Sequence, residues 1–118
     1  KYVAELVGKG VNLFNELLPN SIYDMAVPTT DDGRLVICGD THGQLADFLW
    51  VLKQNGEPSE TTGYLLNGDI ADRGENAAEI LIIVLMFKCL YPNMVSMNRG
   101  NHENIEMNRR AMEHGGGF

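Results

Sequence analysis

Long apolar runs are missing from these 118 residues. The longest strictly apolar stretch is Ile80 to Phe87, far short of the ~18–20 residues that span a bilayer. No basic region followed by an apolar stretch and a small-residue cleavage site stands among the first residues, so an intracellular setting, cytoplasmic or nuclear, is expected. Positive charge is scarce: 9 Lys and Arg stand against 16 Asp and Glu, a net charge of -7. Phosphate backbones and anionic lipids would be repelled, so neither a nucleic acid nor a membrane is expected as a partner. Only a local positive centre, such as bound metal ions, reverses that. Cysteine is rare too. Cys38 and Cys89 both sit among apolar neighbours and read as small core residues, not a disulfide, which suits a reducing compartment. No internal repeat is visible, and the one low-complexity patch is the glycine triplet 115–117.

What is present is ordinary for one globular domain: 44% apolar and 21% charged residues, which excludes disorder. The chain has no Met at position 1, enters a helical pattern at Lys1-Tyr2-Val3, and closes on Gly-Gly-Gly-Phe118. The expectation is a piece of a larger domain.

Val3, Leu6, Val7, Val11, Phe14, Leu17 and Leu18 fall near i, i+3, i+4 spacing and predict a helix over 2–18, weakened by Gly8 and Gly10 and stopped at Pro19-Asn20. A turn cluster follows at 28–33. Then a rhythm begins: a strand at 34–38, a helix at 44–55, a strand at 64–66, a helix at 75–90, a strand at 94–97, and a weak helical pattern at 104–113. Leu45, Phe48, Leu49, Trp50 and Leu52 are expected in the core, as is the run Ile80 to Phe87. Strand, helix, strand, helix, strand is the βαβαβ pattern of an α/β fold with a parallel sheet. Ligands in such sheets bind beyond the carboxyl ends of the strands.

Every polar cluster of chemical interest lies at those ends. Gly39-Asp40-Thr41-His42-Gly43 follows the first strand, Asn67-Gly68-Asp69-Ile70-Ala71-Asp72-Arg73-Gly74 the second, and Arg99-Gly100-Asn101-His102-Glu103 the third. Asp40 and His42, two apart in an extended segment, point to one side and suit a divalent first-row metal. Taken alone they are a capping Asp and a surface His. Asp69 can bridge two cations or simply cap a turn. Asp72 and Arg73 are either a plain surface pair or a carboxylate that orients a His beside a guanidinium that grips phosphate. Asn101 can offer an amide oxygen to a metal while His102 faces the substrate. Together these groups describe most of a dinuclear site, in which two metals ~3.5–4 Å apart activate water and clamp phosphoryl oxygens. His102, oriented by Asp72, then protonates the leaving oxygen, and Arg73 stabilises charge on phosphorus.

The segments GDTHG, GDIADRG and RGNHE, in this order and spacing, resemble the PPP family of metal-dependent serine/threonine protein phosphatases, whose usual forms are GDxHG, GDxVDRG and GNHE. The stretches 38–44, 55–60 and 67–69 look most like the subgroup that carries tetratricopeptide repeats, although no such repeat is present. The resemblance implies a metallophosphoesterase (calcineurin-like) fold, with residues 1–118 as the N-terminal portion of its catalytic domain and the second half absent. It implies two divalent or trivalent ions (Mn, Fe or Zn), with Asp40 and His42 on the first, Asp69 bridging and Asn101 on the second. It also implies His102 as acid paired with Asp72, and Arg73 on phosphate. Its substrate would be a phosphoprotein, with regulatory subunits or domains as further partners.

Departures from the family pattern carry expectations of their own. Ile70-Ala71 replaces an aromatic-Val pair, and the smaller Ala71 is expected to loosen the loop under Asp72. The segment 111–117 is longer and richer in glycine than the family's turn, and His114 reads as a loop residue. The family's further histidine ligands, a second phosphate-binding Arg and a substrate-side Tyr lie in the other half, so little turnover is expected of these residues alone. The competing readings are a small-molecule phosphoesterase, such as a dinucleoside polyphosphate hydrolase, and a non-catalytic phosphatase-like binding fragment. A nucleotide-binding module is disfavoured because the first loop lacks GxGxxG and sets Asp40 where pyrophosphate would lie.

Overall fold

Among the described residues, three short strands, each followed by a polar loop, form one parallel sheet in the order β1-β2-β3. The computed structural model describes residues 1–17, 22, 24, 25, 27–114 and 116; Leu18, the Pro19-Asn20 stop and Phe118 lie outside them. The strands are β1 (Arg34–Cys38), β2 (Thr62–Leu66) and β3 (Val95–Met97), and the helices are α1 (Tyr2–Leu17), α2 (Leu45–Asn55), α3 (Ala77–Leu90) and the single turn α4 (Ile105–Asn108). β2 begins two residues earlier than the apolar run suggests. Its pairing with all five residues of β1, from Arg34↔Thr62 to Cys38↔Leu66, draws Thr62 and Gly63 into the ladder, Gly63 despite glycine's poor strand preference.

Register decides which side of the sheet is the core. Val36 and Cys38 lie beside Tyr64 and Leu66, which lie beside Val95 and Met97. This face packs on Phe48 and Leu52 of α2 and on Ile80 and Val84 of α3. The alternate residue Ile37 points the other way and is 68% exposed. Tyr64 is buried and donates its hydroxyl to the Gly56 carbonyl at 2.5 Å, satisfying its one polar atom in the core.

The helices correct the expected core. Leu49 and Trp50 are exposed at 46% and 61%, because α2 buries only the stripe through Phe48 and Leu52. In α1 the predicted apolar pattern divides: Val3, Val7 and Val11 face outward while Leu6 and Phe14 turn inward. The inward side runs through Leu6, Gly10, Leu13 and Phe14. Gly10 explains the rotation: a Cβ there would run into the Leu85 side chain, so its absence lets α1 lie close on α3. On α3, Ile80, Val84 and Leu85 are buried while Met86 is half exposed. Lys88 is buried as well. It donates to the Pro92 and Val95 carbonyls, both at 2.7 Å, and its ammonium lies 4.7 Å from the Phe14 ring centre, a cation–π contact.

The helix expected over 104–113 is instead α4 followed by a 3-10 turn at Met112–His114. Returning chain ends it. Gly116 comes back so closely on Met107 and Arg110 that a Cβ would strike their carbonyls, and its N–H bonds the Ala111 carbonyl at 3.3 Å. The turn at 30–33 is present, closed by Gly33 N–H to the Thr30 carbonyl at 2.7 Å. Both cysteines are free thiols, Cys38 buried and Cys89 partly so.

Candidate metal centre and proton-donor pair

The loops after β1 and β2 are zipped together by their backbones. The Thr41 and His42 N–H groups both donate to the Asp69 carbonyl, at 3.2 and 2.9 Å, Gly43 to the Ile70 carbonyl at 2.9 Å, and Gly74 back to the His42 carbonyl at 2.9 Å. Gly43 and Gly74 approach so closely that a Cβ on Gly43 would lie 2.5 Å from the Gly74 carbonyl oxygen. This zipper holds 74–76 in loop form, so α3 starts at Ala77 and not at Glu75.

Among the described residues, four non-glycine residues adopt left-handed backbone, and all are candidate site residues: His42 (φ 42), Asp69 (φ 50), Asp72 (φ 66) and Arg73 (φ 72). Such conformations cost about 1–2 kcal/mol each and persist only where neighbours over-determine them. The main restraint is Glu103. One carboxylate oxygen accepts the N–H groups of Asp69 and Gly100, both at 2.8 Å, and the other accepts those of Ile70 and Ala71, at 2.9 and 3.1 Å. One side chain thus ties the loop after β2 to the loop after β3. Ala71 is buried, with its N–H on Glu103 and its carbonyl on His42. The smaller side chain there leaves this segment fully anchored, contrary to expectation.

Asp40, His42 and Asp69 each bring one donor atom to a common point, all within 4.8 Å of one another. Donors ~2.1 Å from a shared cation in tetrahedral geometry are ~3.4 Å apart, so ligation asks these loops to draw in by up to about 1.4 Å. The donor set fits. His42 Nδ1 lies 3.0 Å from the Ala71 carbonyl, which can only accept, so the proton is on Nδ1. The Nε2 lone pair is left facing Asp40 Oδ2 at 3.8 Å. That is how a metal-binding imidazole is usually oriented. Asp69 Oδ1 accepts the His102 N–H at 2.8 Å, which sets the carboxylate's angle and leaves its other oxygen available. Oxygen, oxygen and imidazole nitrogen suit a divalent first-row ion.

Asp72 and His102 form a second group beside the first. His102 Nδ1 lies 3.1 Å from Asp72 Oδ2, and the Asp72 side chain is fully buried. The His42 and His102 rings meet edge to face, their centres 4.7 Å apart. Arg73 is exposed and shares with Asp40, His42 and Gln44 the lining of a cleft of about 420 Å³. Cys38 lies at its base, where burial pushes the thiol above its usual range and keeps it from acting as a thiolate nucleophile. Asn101 stands in the loop after β3 and is exposed. His114 is exposed beside Glu113, 3.7 Å away, in the 3-10 turn.

Two structural participants carried no role in the sequence reading. Glu103 directly follows His102, and its place at the end of RGNHE was its only signal. Asn108, which bonds Asp72 and the His102 carbonyl, lies five residues beyond that motif and left no signal at all.

Comparison with known proteins agrees with this geometry. The family described as calcineurin-like phosphoesterase matches residues 33–116. Serine/threonine-protein phosphatase T of Schizosaccharomyces pombe is 47% identical over 94 residues, 80% of this chain and 20% of the relative. Serine/threonine-protein phosphatase rdgC of Drosophila melanogaster is 41% identical over 110 residues, 93% of this chain and 16% of the relative. A solved structure of a Saccharomyces cerevisiae protein serine/threonine phosphatase, described as similar to human phosphatase PP5, superposes with a TM-score of 0.79 at 35% identity, over 92% of this chain and 34% of that one. The chain therefore spans about a fifth or less of the curated relatives' length. The loop motifs, the parallel sheet that presents them and the match over most of the sequence lead to one assignment: the chain belongs to the calcineurin-like phosphoesterase family, among relatives that are serine/threonine protein phosphatases.

Proposed function

We propose that the protein carrying this chain hydrolyses phosphoserine and phosphothreonine esters in proteins, and that these residues supply the first part of its metal site together with its proton donor. The observation that carries the reading is the meeting of the Asp40–His42–Asp69 donors with the Asp72–His102 pair at one sheet edge. Asp40, His42 and Asp69 would hold one ion, and Asp69 with Asn101 part of the second. Manganese, iron and zinc all suit these donors. When bound, the ions supply positive charge for phosphoryl oxygens and acidify water for attack on phosphorus.

The chain's own residues do the rest. Asp72 Oδ2 accepts the His102 Nδ1 proton, so Nε2 is the nitrogen that delivers a proton to the departing serine or threonine oxygen. That proton matters because an alkoxide is a poor leaving group. Arg73, on the cleft wall, donates paired N–H bonds to phosphate oxygens. With a net charge of -7, the surface otherwise repels phosphate, so the ions and Arg73 carry its attraction. Phosphoprotein substrates and regulatory domains of the parent protein are the partners this reading implies. No described helix is long and apolar enough to cross a membrane.

Calorimetric titration of Mn²⁺ into the chain, alone and with His42→Ala, tests the centre. Binding that is lost in the variant is expected; equal heats in both refute the site. In the complete protein, release of phosphate from a phosphoserine peptide is expected to exceed cleavage of a dinucleoside polyphosphate. The reverse preference assigns the site to small-molecule phosphoesters, and metal binding without either turnover assigns a binding role.

A further inference from the structure

Asn108 ends α4 and reaches back six residues. Its Nδ2 donates to Asp72 Oδ1 at 3.0 Å and to the His102 carbonyl at 2.8 Å. A carboxylate and a carbonyl only accept, so the amide nitrogen must face them, and both its hydrogens are used. Each Asp72 oxygen then has its own partner: Oδ1 takes Asn108 and Oδ2 takes His102 Nδ1. The second Asn108 bond fixes the backbone that carries the His102 ring. The turn delivering Asn108 is itself capped, since the Asn104 side chain accepts the Glu106 N–H at 2.9 Å.

A fully buried carboxylate turns toward whatever donor is in reach. Without the Asn108 donor, the Asp72 carboxylate is free to rotate, and Oδ2 leaves its place opposite the ring Nδ1. The imidazole then loses its reason to keep the proton on Nδ1.

We infer that Asn108 is a positioning residue for the proton donor: it holds Asp72 and the His102 backbone so that Nδ1 stays on Asp72 and Nε2 points to the ester. This rests on His102 acting as the acid proposed above. Asn108 touches no substrate atom. It acts through Asp72.

Two variants test it. Asn108→Ala removes the side chain, and Asn108→Asp keeps its shape while replacing the donor with acceptors. The first readout needs neither metal nor activity: ¹⁵N NMR of the His102 ring in the chain at alkaline pH. The wild type is expected as the Nδ1–H tautomer and both variants as mixtures. The second readout compares a phosphoserine peptide with p-nitrophenyl phosphate, whose leaving group departs without a proton, in the complete protein. General acids contribute about 10²–10⁴-fold, so kcat on the peptide is expected to fall about tenfold or more at unchanged KM, and on p-nitrophenyl phosphate by no more than about twofold. If Asn108→Ala does not fold, Asn108→Asp carries both readouts. A wild-type tautomer retained in the folded variants, or equal slowing of the two esters, overturns the proposal. If the wild type cleaves neither ester, the proposed function fails while the tautomer measurement still decides the role of Asn108.

Discussion

Replacing Glu103 with Gln tests whether one carboxylate holds the loops in place. Each oxygen of Glu103 accepts two backbone N–H groups, at 2.8 to 3.1 Å. Gln keeps one such oxygen and turns the other into an NH₂ group facing two donors. Each donor left unpaired costs about 1–3 kcal/mol. Glu103 is only partly buried, so water reaches some of them and the lower half of the range applies: about 3 kcal/mol in all. With a urea slope of about 1.5 kcal/mol per molar, that lowers the unfolding midpoint by about 2 M. The loss should be local as well as global. Amide exchange at Asp69, Ile70, Ala71 and Gly100 should speed up more than exchange in the core of α3. Glu75→Gln, at an exposed position, is the control and should shift the midpoint by less than about 0.3 M. A Glu103→Gln midpoint within about 0.5 M of wild type, with the four amides still protected, would show that the left-handed residues are held by something else.

Lys88 makes stability depend on alkaline pH. Burial lowers its ammonium from 10.5 to about 8, so between those values the unfolded chain binds more protons and raising the pH favours folding. The wild type should therefore gain on Lys88→Met by up to about 3 kcal/mol across that window. The difference between the two proteins cancels the opposing effects of Cys38 and Tyr64, whose burial raises both groups; a pH-independent difference would show that burial does not lower the Lys88 ammonium. Gly100→Ala places a methyl against Asp69 Oδ1 and 2.5 Å from the Asp69 nitrogen. It should cost about 1–3 kcal/mol and weaken Mn²⁺ binding about tenfold or more; unchanged affinity by calorimetry would mean Asp69 is not a ligand.

How much of this was legible follows particular residues. The strands around Val36, Leu65 and Val95 were readable because β-branched and apolar residues between turn residues have few alternatives. Asp40, His42, Asp69, Asp72 and His102 were readable because polar residues cluster at strand ends. The rotation of α1 was not, because Gly10 carries no hydropathy signal and its effect is felt only against Leu85. Nor was the exposure of Trp50, since a pattern of apolar residues does not say how wide a stripe the sheet will cover.

The order of elements, the parallel arrangement and the choice of chemical groups are local properties, and the amino-acid sequence by itself determined them. Tertiary structure alone decided that Glu103 spans two loops, that Asn108 returns to Asp72, and that four side-chain-bearing residues hold left-handed backbone. These depend on which loops meet in space. Hydrogen bonds between residues some 30 positions apart, such as Glu103 to Ile70 or His102 to Asp72, form only after the sheet has set its register, and no periodicity along the chain encodes them.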